Sequence, residues 1–451
     1  MRHIEWFKHG KLFGLLAAGA LLFMSATPAQ ATDGHLLHGV GAVNQAMGGA
    51  GVGAPVSLLG VFYLNPAGMM AFDGTRIEFS FEMFKPSRTV SSDFPGFGSG
   101  ATVSRSEFTP IPALGWSTKL NNGKWVLGLA GIGIGGFGVD YAASAPAPGA
   151  NPLLFPQPNG FGQVFSSYNL LKFTPAVAWA PIEKLWLGFA VNVNWAQLSV
   201  MPAAFASPNF DQVTGTAFFP SATATDGAFG FGAQLGLMYM INDMISLGAS
   251  YSSEQSFESF KWNSANANPN LLDFGGPREL EFKLNTPAVL AGGFGLYPVP
   301  NVAIAGDFRY IFYESAAGFE IPSSGPFNPD GSAAGFGWEN IYVIAIGLQY
   351  RPIEALALRG GWNFSQNPVP DALAFINVPA PAIVQNHLTL GAGYKFTRRF
   401  EVSLGYYKAF SNSGTGPVLN PAVPPGSTVT NELSENSIQL QFTFGTRGEI
   451  Q

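Results

Sequence analysis

Residues 302–313 read VAIAGDFRYIFY, and this stretch decides the fold class. The large apolar side chains fall on one face of an extended chain: Val302, Ile304, Phe308, Tyr310 and Phe312. The other face carries small or polar side chains: Ala303, Ala305, Asp307, Arg309 and Tyr313. A period of two over about ten residues is typical of a transmembrane β-strand. A soluble sandwich would instead bury its apolar face and expose Lys and Glu to water.

The composition of the whole chain excludes several other classes. Only 11% of the 451 residues are charged, 47% are apolar, and the net charge is −6, whereas soluble domains are about 25% charged. Disorder requires high charge and low hydrophobicity, and nucleic-acid binding requires a basic surface. The chain has no cysteine, which excludes disulfide frameworks, cysteine nucleophiles and zinc ribbons.

The N-terminus has the pattern of an export signal. Basic residues precede an apolar run at residues 12–24, and Ala29-Gln30-Ala31 follows as a cleavage site. We therefore predict a signal peptide over residues 1–31. No later stretch has the roughly 20 consecutive apolar residues of a membrane helix, so an exported β protein or an outer-membrane barrel remains.

Alternating segments recur along the chain, and counting them predicts about 14 antiparallel strands in an all-β transmembrane barrel over residues 75–451. They lie near 75–86, 104–119, 123–135, 164–180, 184–200, 226–241, 244–262, 279–297, 301–313, 338–350, 354–366, 387–397, 399–411 and 433–446. The connections alternate between short turns and long loops, as expected for short periplasmic turns and long outer loops. This predicts the outer membrane of a Gram-negative bacterium. The last strand stops early or is followed by a short tail, because seven residues follow Phe444.

Residues 32–74 precede the first strand and show no β alternation, although they are rich in Gly and Ala. Because a barrel of this size has a lumen that is either filled or open, we predict that they form an N-terminal plug. Asn65-Pro66-Ala67-Gly68 predicts a short helix over 65–71, since Asn is a good N-cap and Pro suits the first helical position.

The order of these features resembles the FadL/TodX family of outer-membrane channels for hydrophobic compounds. The resemblance rests on the signal peptide, Met47-Gly48-Gly49-Ala50, the motif Asn65, Pro66 and Ala67, and the strands that follow. It implies a monomeric barrel in outer-membrane lipid, closed by an N-terminal hatch. Long-chain fatty acids or hydrocarbons (alkanes or aromatics) would be captured between outer loops and released sideways into the membrane. It also implies passive transport without a cofactor, a metal, a nucleic-acid partner or enzymatic chemistry.

The implied sideways exit lies near a kink in the third strand. Pro110 and Pro112 in the second strand lack N–H donors, and Gly131, Gly133 and Gly135 weaken the third strand. We expect a pairing defect between these strands. The alternative is that the residues only relieve crowding at barrel corners.

The capture groove would use the third and fourth outer loops, residues 201–225 and 263–278. Their apolar side chains are Phe205, Phe210, Phe218, Phe219, Leu271, Leu272 and Phe274. Exposed clusters of this kind mark ligand or partner sites. The alternative is that they tuck into the barrel mouth.

A carboxylate ligand would require a buried cation in the lumen, and Arg309 and Arg359 are the candidates. An internal salt bridge of Arg309 with Asp307 is the alternative, and it would make hydrocarbons as plausible as fatty acids. His35 and His38 are expected to lie in a flexible terminus rather than at a metal.

Three rival functions remain open at this stage. A general diffusion porin would have a charged constriction instead of an apolar plug. A lipid-acting barrel enzyme would depend on His387, which we expect at the outer rim. A purely structural or adhesive barrel would bind no small ligand.

Overall fold

The computed structural model describes residues 33–120, 122–224, 227–420 and 423–446. The predicted signal peptide and the last residues of the predicted tail lie outside these ranges. No helix within them is long and apolar enough to cross a membrane.

Fourteen antiparallel strands form a closed barrel, which confirms the predicted fold class. They are β1 (Thr75–Phe94), β3 (Thr109–Lys119), β4 (Trp125–Tyr141), β5 (Val164–Ile182), β6 (Leu185–Met201), β9 (Ala228–Asn242), β10 (Ile245–Ser252), β14 (Val289–Val299), β15 (Val302–Ile311), β16 (Ile341–Ile353), β17 (Leu356–Ser365), β18 (Asn386–Thr397), β19 (Phe400–Pro417) and β20 (Thr428–Gly445). Each strand pairs with the next in the barrel, and β20 pairs with β1 to close the ring.

Six shorter strands belong to the loops. They are β2 (Gly98–Val103), β7 (Asn209–Phe210), β8 (Ala217–Phe218), β11 (Ser256–Phe257), β12 (Phe260–Ala265) and β13 (Pro277–Phe282). The strands predicted near 244–262 and 279–297 were too long, because β10 ends at Ser252 and β14 begins at Val289. Between them β12 and β13 form a separate hairpin. The predictions extended into this hairpin because its sequence alternates in the same way as that of a barrel strand.

Side chains alternate across the wall as the sequence predicted. Phe308 is 52% exposed on the outside, while its neighbours Asp307 and Arg309 are 5% and 3% exposed on the inside. Aromatic pairs lie near the short turns, including Trp125 stacked on Trp179 with ring centres 5.5 Å apart. This pattern is that of an apolar band with an aromatic girdle.

Residues 33–74 run through the lumen, and every residue from Asp33 to Ala54 is buried. They contain helix α1 (Gly41–Ala46), helix α2 (Leu58–Leu64) and a 3₁₀ helix (Pro66–Ala71). The Asn65 side chain accepts a hydrogen bond from the Ala67 N–H at 3.1 Å, which confirms the predicted helix start. We call this segment the hatch.

Glu78 on β1 holds the start of α2. Its Oε2 accepts hydrogen bonds from Ser57 Oγ at 2.9 Å and from the Leu59 N–H at 3.1 Å. Its Oε1 pairs with Arg76 Nε at 2.8 Å. A carboxylate here satisfies backbone donors that the first turn of a helix leaves free.

Two other inward carboxylates hold the hatch in the same way. Asp307 Oδ2 accepts from the N–H groups of Gly51 at 2.7 Å and Val52 at 3.0 Å. Glu82 Oε2 accepts from Gln45 Nε2 at 2.6 Å. The carboxylates of Glu78, Glu82 and Asp307 therefore accept hydrogen bonds from the hatch and do not line an open pore.

Replacing Glu78 by Ala should loosen the hatch without opening the ring of strands. It leaves a buried N–H and hydroxyl unpaired, at about 1–3 kcal/mol each, and strips Arg76 of its counter-charge. We expect faster hydrogen exchange across residues 57–64 and higher ion conductance, with unchanged β content by circular dichroism. Glu281→Ala is the control, because Glu281 pairs with Lys261 on an exposed loop. Unchanged exchange in Glu78→Ala would contradict this assignment.

Candidate functional site: a gap in the barrel wall

The ladder between β3 and β4 is incomplete. In the described chain it runs from the pair Lys119–Val126 to the pair Ala113–Ile132 and stops there. Residues 109–112 of β3 continue to pair with β1, while β4 continues along β5 with an irregularity between Gly133 and Gly135. Two neighbouring strands therefore separate in the middle of the wall.

The hatch completes the free edge of β4. The Leu37 N–H donates to the Ile134 carbonyl, and the Gly136 N–H donates to the His35 carbonyl, both at 2.9 Å. Residues 131–139 of β4 are buried throughout instead of alternating, so this part of the strand no longer has an exposed outer face. Residues 35–37 thus act as a three-residue strand inside the wall.

The residues predicted at the exit surround this gap. Pro110 and Pro112 lie on the part of β3 that has no ladder to β4, and Gly133 and Gly135 flank the irregularity in β4. Gly131 still pairs with β3. A Cβ at Gly135 would overlap the His35 carbonyl oxygen, so the close approach of the hatch requires glycine there.

Both predicted lumen arginines already have carboxylate partners. Arg309 Nη1 lies 3.1 Å from Asp33 Oδ2 in the hatch. The predicted partner Asp307 was wrong, because Asp307 binds hatch N–H groups instead. Arg359 Nη2 lies 3.2 Å from Glu401 Oε1.

Lys172 on β5 is an inward-facing cation that the sequence analysis did not select as a ligand-binding candidate. It lines an internal cavity together with Asp33, Tyr63 and Arg309. Its Nζ donates to the Phe62 carbonyl at 3.2 Å and lies 5.6 Å from the centre of the Tyr63 ring. Among the described residues, no carboxylate lies within 4.0 Å of it. The available signal was a lone lysine on the inward face of a strand.

The third and fourth outer loops contact each other. Asn270 Nδ2 donates to Asp211 Oδ2 at 2.6 Å, and Arg278 Nη2 donates to the Ser207 carbonyl at 2.6 Å. Hydrogen bonds from the Thr214 N–H and from Asn270 lower the pKa of Asp211 to about 2. The contact therefore includes a full negative charge at any ordinary pH.

The predicted groove residues divide into two sets. Phe210, Leu272 and Phe274 are exposed at the outer surface. Phe218 is buried, and Phe205 is stacked on Phe282 with ring centres 4.7 Å apart. The remaining two, Phe219 and Leu271, are half-buried. Capture from outside can therefore involve only part of the predicted set.

A further loop, residues 366–385, packs into the barrel mouth, and this packing was not predicted. Leu373, Val378 and Ile383 in it are buried. Asn377 Oδ1 accepts from Trp338 Nε1 at 2.6 Å, and Asn377 Nδ2 donates to the Phe336 carbonyl at 2.8 Å. The apolar run at 369–384 was the visible signal.

The prediction for two of the histidines was wrong. His35 and His38 are fully buried in the lumen, not in a flexible terminus. His387 lies at the start of β18, as predicted, and is fully buried there. His38 stacks on His387 with ring centres 5.4 Å apart. Within the described ranges no group of three or more potential ligands could hold a metal ion.

A fourteen-stranded barrel with a filled lumen and a wall gap defines a class of outer-membrane channel. The chain belongs to the family described as "Outer membrane protein transport protein (OMPP1/FadL/TodX)", which matches residues 23–440. It is therefore an outer-membrane transport protein and not an enzyme.

Solved structures share this fold. The toluene transporter TodX of Pseudomonas putida is 17% identical, with a TM-score of 0.66 over 91% of this chain and 100% of that chain. A FadL homologue of Pseudomonas aeruginosa is 14% identical, with a TM-score of 0.67 over 92% and 100%. Outer membrane protein P1 of Haemophilus influenzae is 26% identical over 186 residues, which is 40% of this chain and 38% of P1.

Replacing Lys172 by Met should weaken binding of a carboxylate amphiphile and leave binding of toluene unchanged. A hydrogen bond to a charged group contributes about 1.5–3 kcal/mol, which is roughly tenfold or more in Kd. Titration of the purified protein with laurate and with toluene measures both. Lys184→Met is the control, since Lys184 is exposed beside a short turn. Equal loss for both ligands would refute a charge role for Lys172.

Proposed function

We propose that the protein is a passive uptake channel for hydrophobic compounds, either long-chain fatty acids or hydrocarbons. Ligands are captured by the exposed apolar residues of the third and fourth outer loops and leave sideways through the gap between β3 and β4. The observation that carries the proposal is that the edge of β4 is completed by residues 35–37 of the hatch instead of by a barrel strand.

The filled lumen supports a sideways route. A straight path to the periplasm would require displacement of a hatch held by three buried carboxylates, Glu78, Glu82 and Asp307. The sideways path breaks two backbone hydrogen bonds, each with a net contribution of about 0.5–1.5 kcal/mol. An apolar ligand gains roughly 25 cal/mol per Å² on leaving water, which is enough to offset this cost.

Two observations bear on the ligand. TodX is a toluene transporter, which supports hydrocarbons. Lys172 faces the internal cavity without a carboxylate partner among the described residues, which supports a ligand with a carboxylate head. We propose residues 32–74 as the moving hatch of a monomer, because the closed ring needs no second chain to satisfy its strand edges.

A reversible cross-link between hatch and wall should stop uptake. Leu37 and Ile134 are opposite each other in the backbone bridge to β4, since the Leu37 N–H donates to the Ile134 carbonyl, and the chain has no native cysteine. In cells that carry the Leu37→Cys/Ile134→Cys pair, we expect uptake of labelled palmitate and toluene to fall to background under oxidation and to recover on reduction.

Each single cysteine variant, treated with the same oxidant, is the control and should transport normally. Mass spectrometry confirms that the cross-link has formed. Normal uptake through a fully cross-linked protein would exclude the sideways route.

Restoring N–H donors to β3 should slow uptake. The Pro110→Val/Pro112→Val variant can extend the ladder to β4, so the gap becomes narrower and we expect several-fold slower uptake with unchanged thermal stability of the barrel. Pro175→Val is matched to it, because Pro175 lies in β5 and already pairs with Leu129. Equal uptake by the wild type, the double variant and Pro175→Val would mean that the two prolines only relieve crowding at a barrel corner.

A further inference from the structure

Three hydrogen-bond donors lie side by side on the outer face of the barrel, where its first and last strands meet. Lys85 on β1 is in register with Asn436 on β20, which is in register with Lys408 on β19. Both lysines are exposed and Asn436 is half-buried. Because neighbouring strands are about 4.8 Å apart, the two lysine backbones are about 10 Å apart, and their flexible side chains can reach one group between them. We call these three residues the lysine row.

The lysine row presents donors without an acceptor. Among the described residues, no carboxylate lies within 4.0 Å of either ammonium group. Asn436 Oδ1 accepts a hydrogen bond from the Tyr406 hydroxyl at 3.0 Å, so the amide offers its N–H groups to the outside. Ser87 and Ser434 are in register with each other one step further out and add two hydroxyls. This set of groups suits an anion with several oxygens.

The acidic residues of this region do not neutralise the row. Glu432, further out on β20, accepts a hydrogen bond from Ser411 Oγ at 2.9 Å. By contrast with the two lysines, Arg105 near the start of β3 is paired with Asp140 at 2.7 Å. The positive charge of the lysine row therefore remains available to a partner from outside the chain.

The row lies at the upper edge of the apolar band. β1 begins beside the short turns at Thr75, and Lys85 lies ten residues further along it. At about 3.4 Å per residue and a tilt of about 40°, this places Lys85 about 25 Å from that end, which is the height of the band. Directly below the row, Met83, Leu404 and Ile438 are 46%, 54% and 54% exposed towards the acyl chains. The lysine row is therefore level with the lipid head groups of the outer leaflet.

We propose that the lysine row binds a phosphate group of a phosphorylated glycolipid in the outer leaflet, with the acyl chains of that lipid against the apolar wall below. The ammonium groups supply the charge that attracts an anionic head group, and the amide and hydroxyls supply further donors to its oxygens. The site lies on the outside of the wall, away from the hatch and the gap, so it is separate from the route of transported compounds. One bound head group would contact β1 and β19 across β20, and it would therefore stabilise the closed ring.

The test is native mass spectrometry of the detergent-purified full chain titrated with lipid A, and with lipid A stripped of its phosphates. We expect the Lys85→Gln/Lys408→Gln variant to bind lipid A about tenfold or more weakly than the wild type, because both cationic partners of the phosphate are lost. The wild type should bind the stripped lipid with a similar loss. Lipid A should raise the thermal unfolding midpoint of the wild type more than that of the variant, because a ligand of the folded state stabilises it.

The Lys124→Gln/Lys184→Gln variant is the matched control. It removes the same charge from exposed lysines beside the short turns, at the other end of the barrel, and it should bind lipid A as the wild type does. Equal affinity for lipid A in the wild type and in Lys85→Gln/Lys408→Gln would overturn the proposal, as would equal affinity of the wild type for the stripped lipid. Inorganic phosphate alone should leave the unfolding midpoint unchanged, and a rise equal to that with lipid A would refute a lipid site.

Discussion

The free edge of β4 is the constraint on which the rest of the structure depends. A strand edge within a membrane must have its N–H and C=O groups paired, because hydrocarbon offers them no partner. Where β3 separates from β4, the hatch supplies the partners through His35 and Leu37. This fixes the start of the hatch inside the lumen and demands glycine at position 135, where the His35 carbonyl comes closest. The gap and the hatch are therefore parts of a single structure.

The backbone N–H and C=O groups of the hatch must also be paired along its whole length. Its backbone is mostly irregular, so the barrel supplies donors and acceptors that regular secondary structure would otherwise provide. Asn65 Nδ2 donates to the carbonyls of Val52 at 2.8 Å and Leu237 at 3.1 Å, which joins two parts of the chain to the wall. A Cβ at Gly236 would overlap the Asn65 side chain. The polar inner face of the barrel is thus largely explained by the segment that it encloses, and Lys172 also contacts this segment through the Phe62 carbonyl.

The fold could be predicted from the sequence because its signals are local. Strand period, turn spacing and the cap at Asn65 depend on neighbouring residues, and all of them hold in the structure. The contacts that define the site depend on distant residues. The partner of Arg309 is Asp33, and the Tyr313 hydroxyl bonds to His35, 278 positions away. No single-sequence pattern encodes such pairs, so the buried histidines and the significance of Lys172 were missed.

The seam between β1 and β20 has a consequence for assembly. It pairs the first strand with the last along nearly their whole lengths, and Ser80 bonds to Leu440 across 360 positions. Every other neighbouring pair in the ring joins segments that are close in sequence, so hairpins can form as the chain becomes available. The seam can form only when the first and the last strand are both present. Bringing them together has the largest loop-closure entropy cost of any strand pair in the ring. We therefore expect the seam to form late in barrel folding, and until it closes the enclosed segment is accessible to solvent and to proteases.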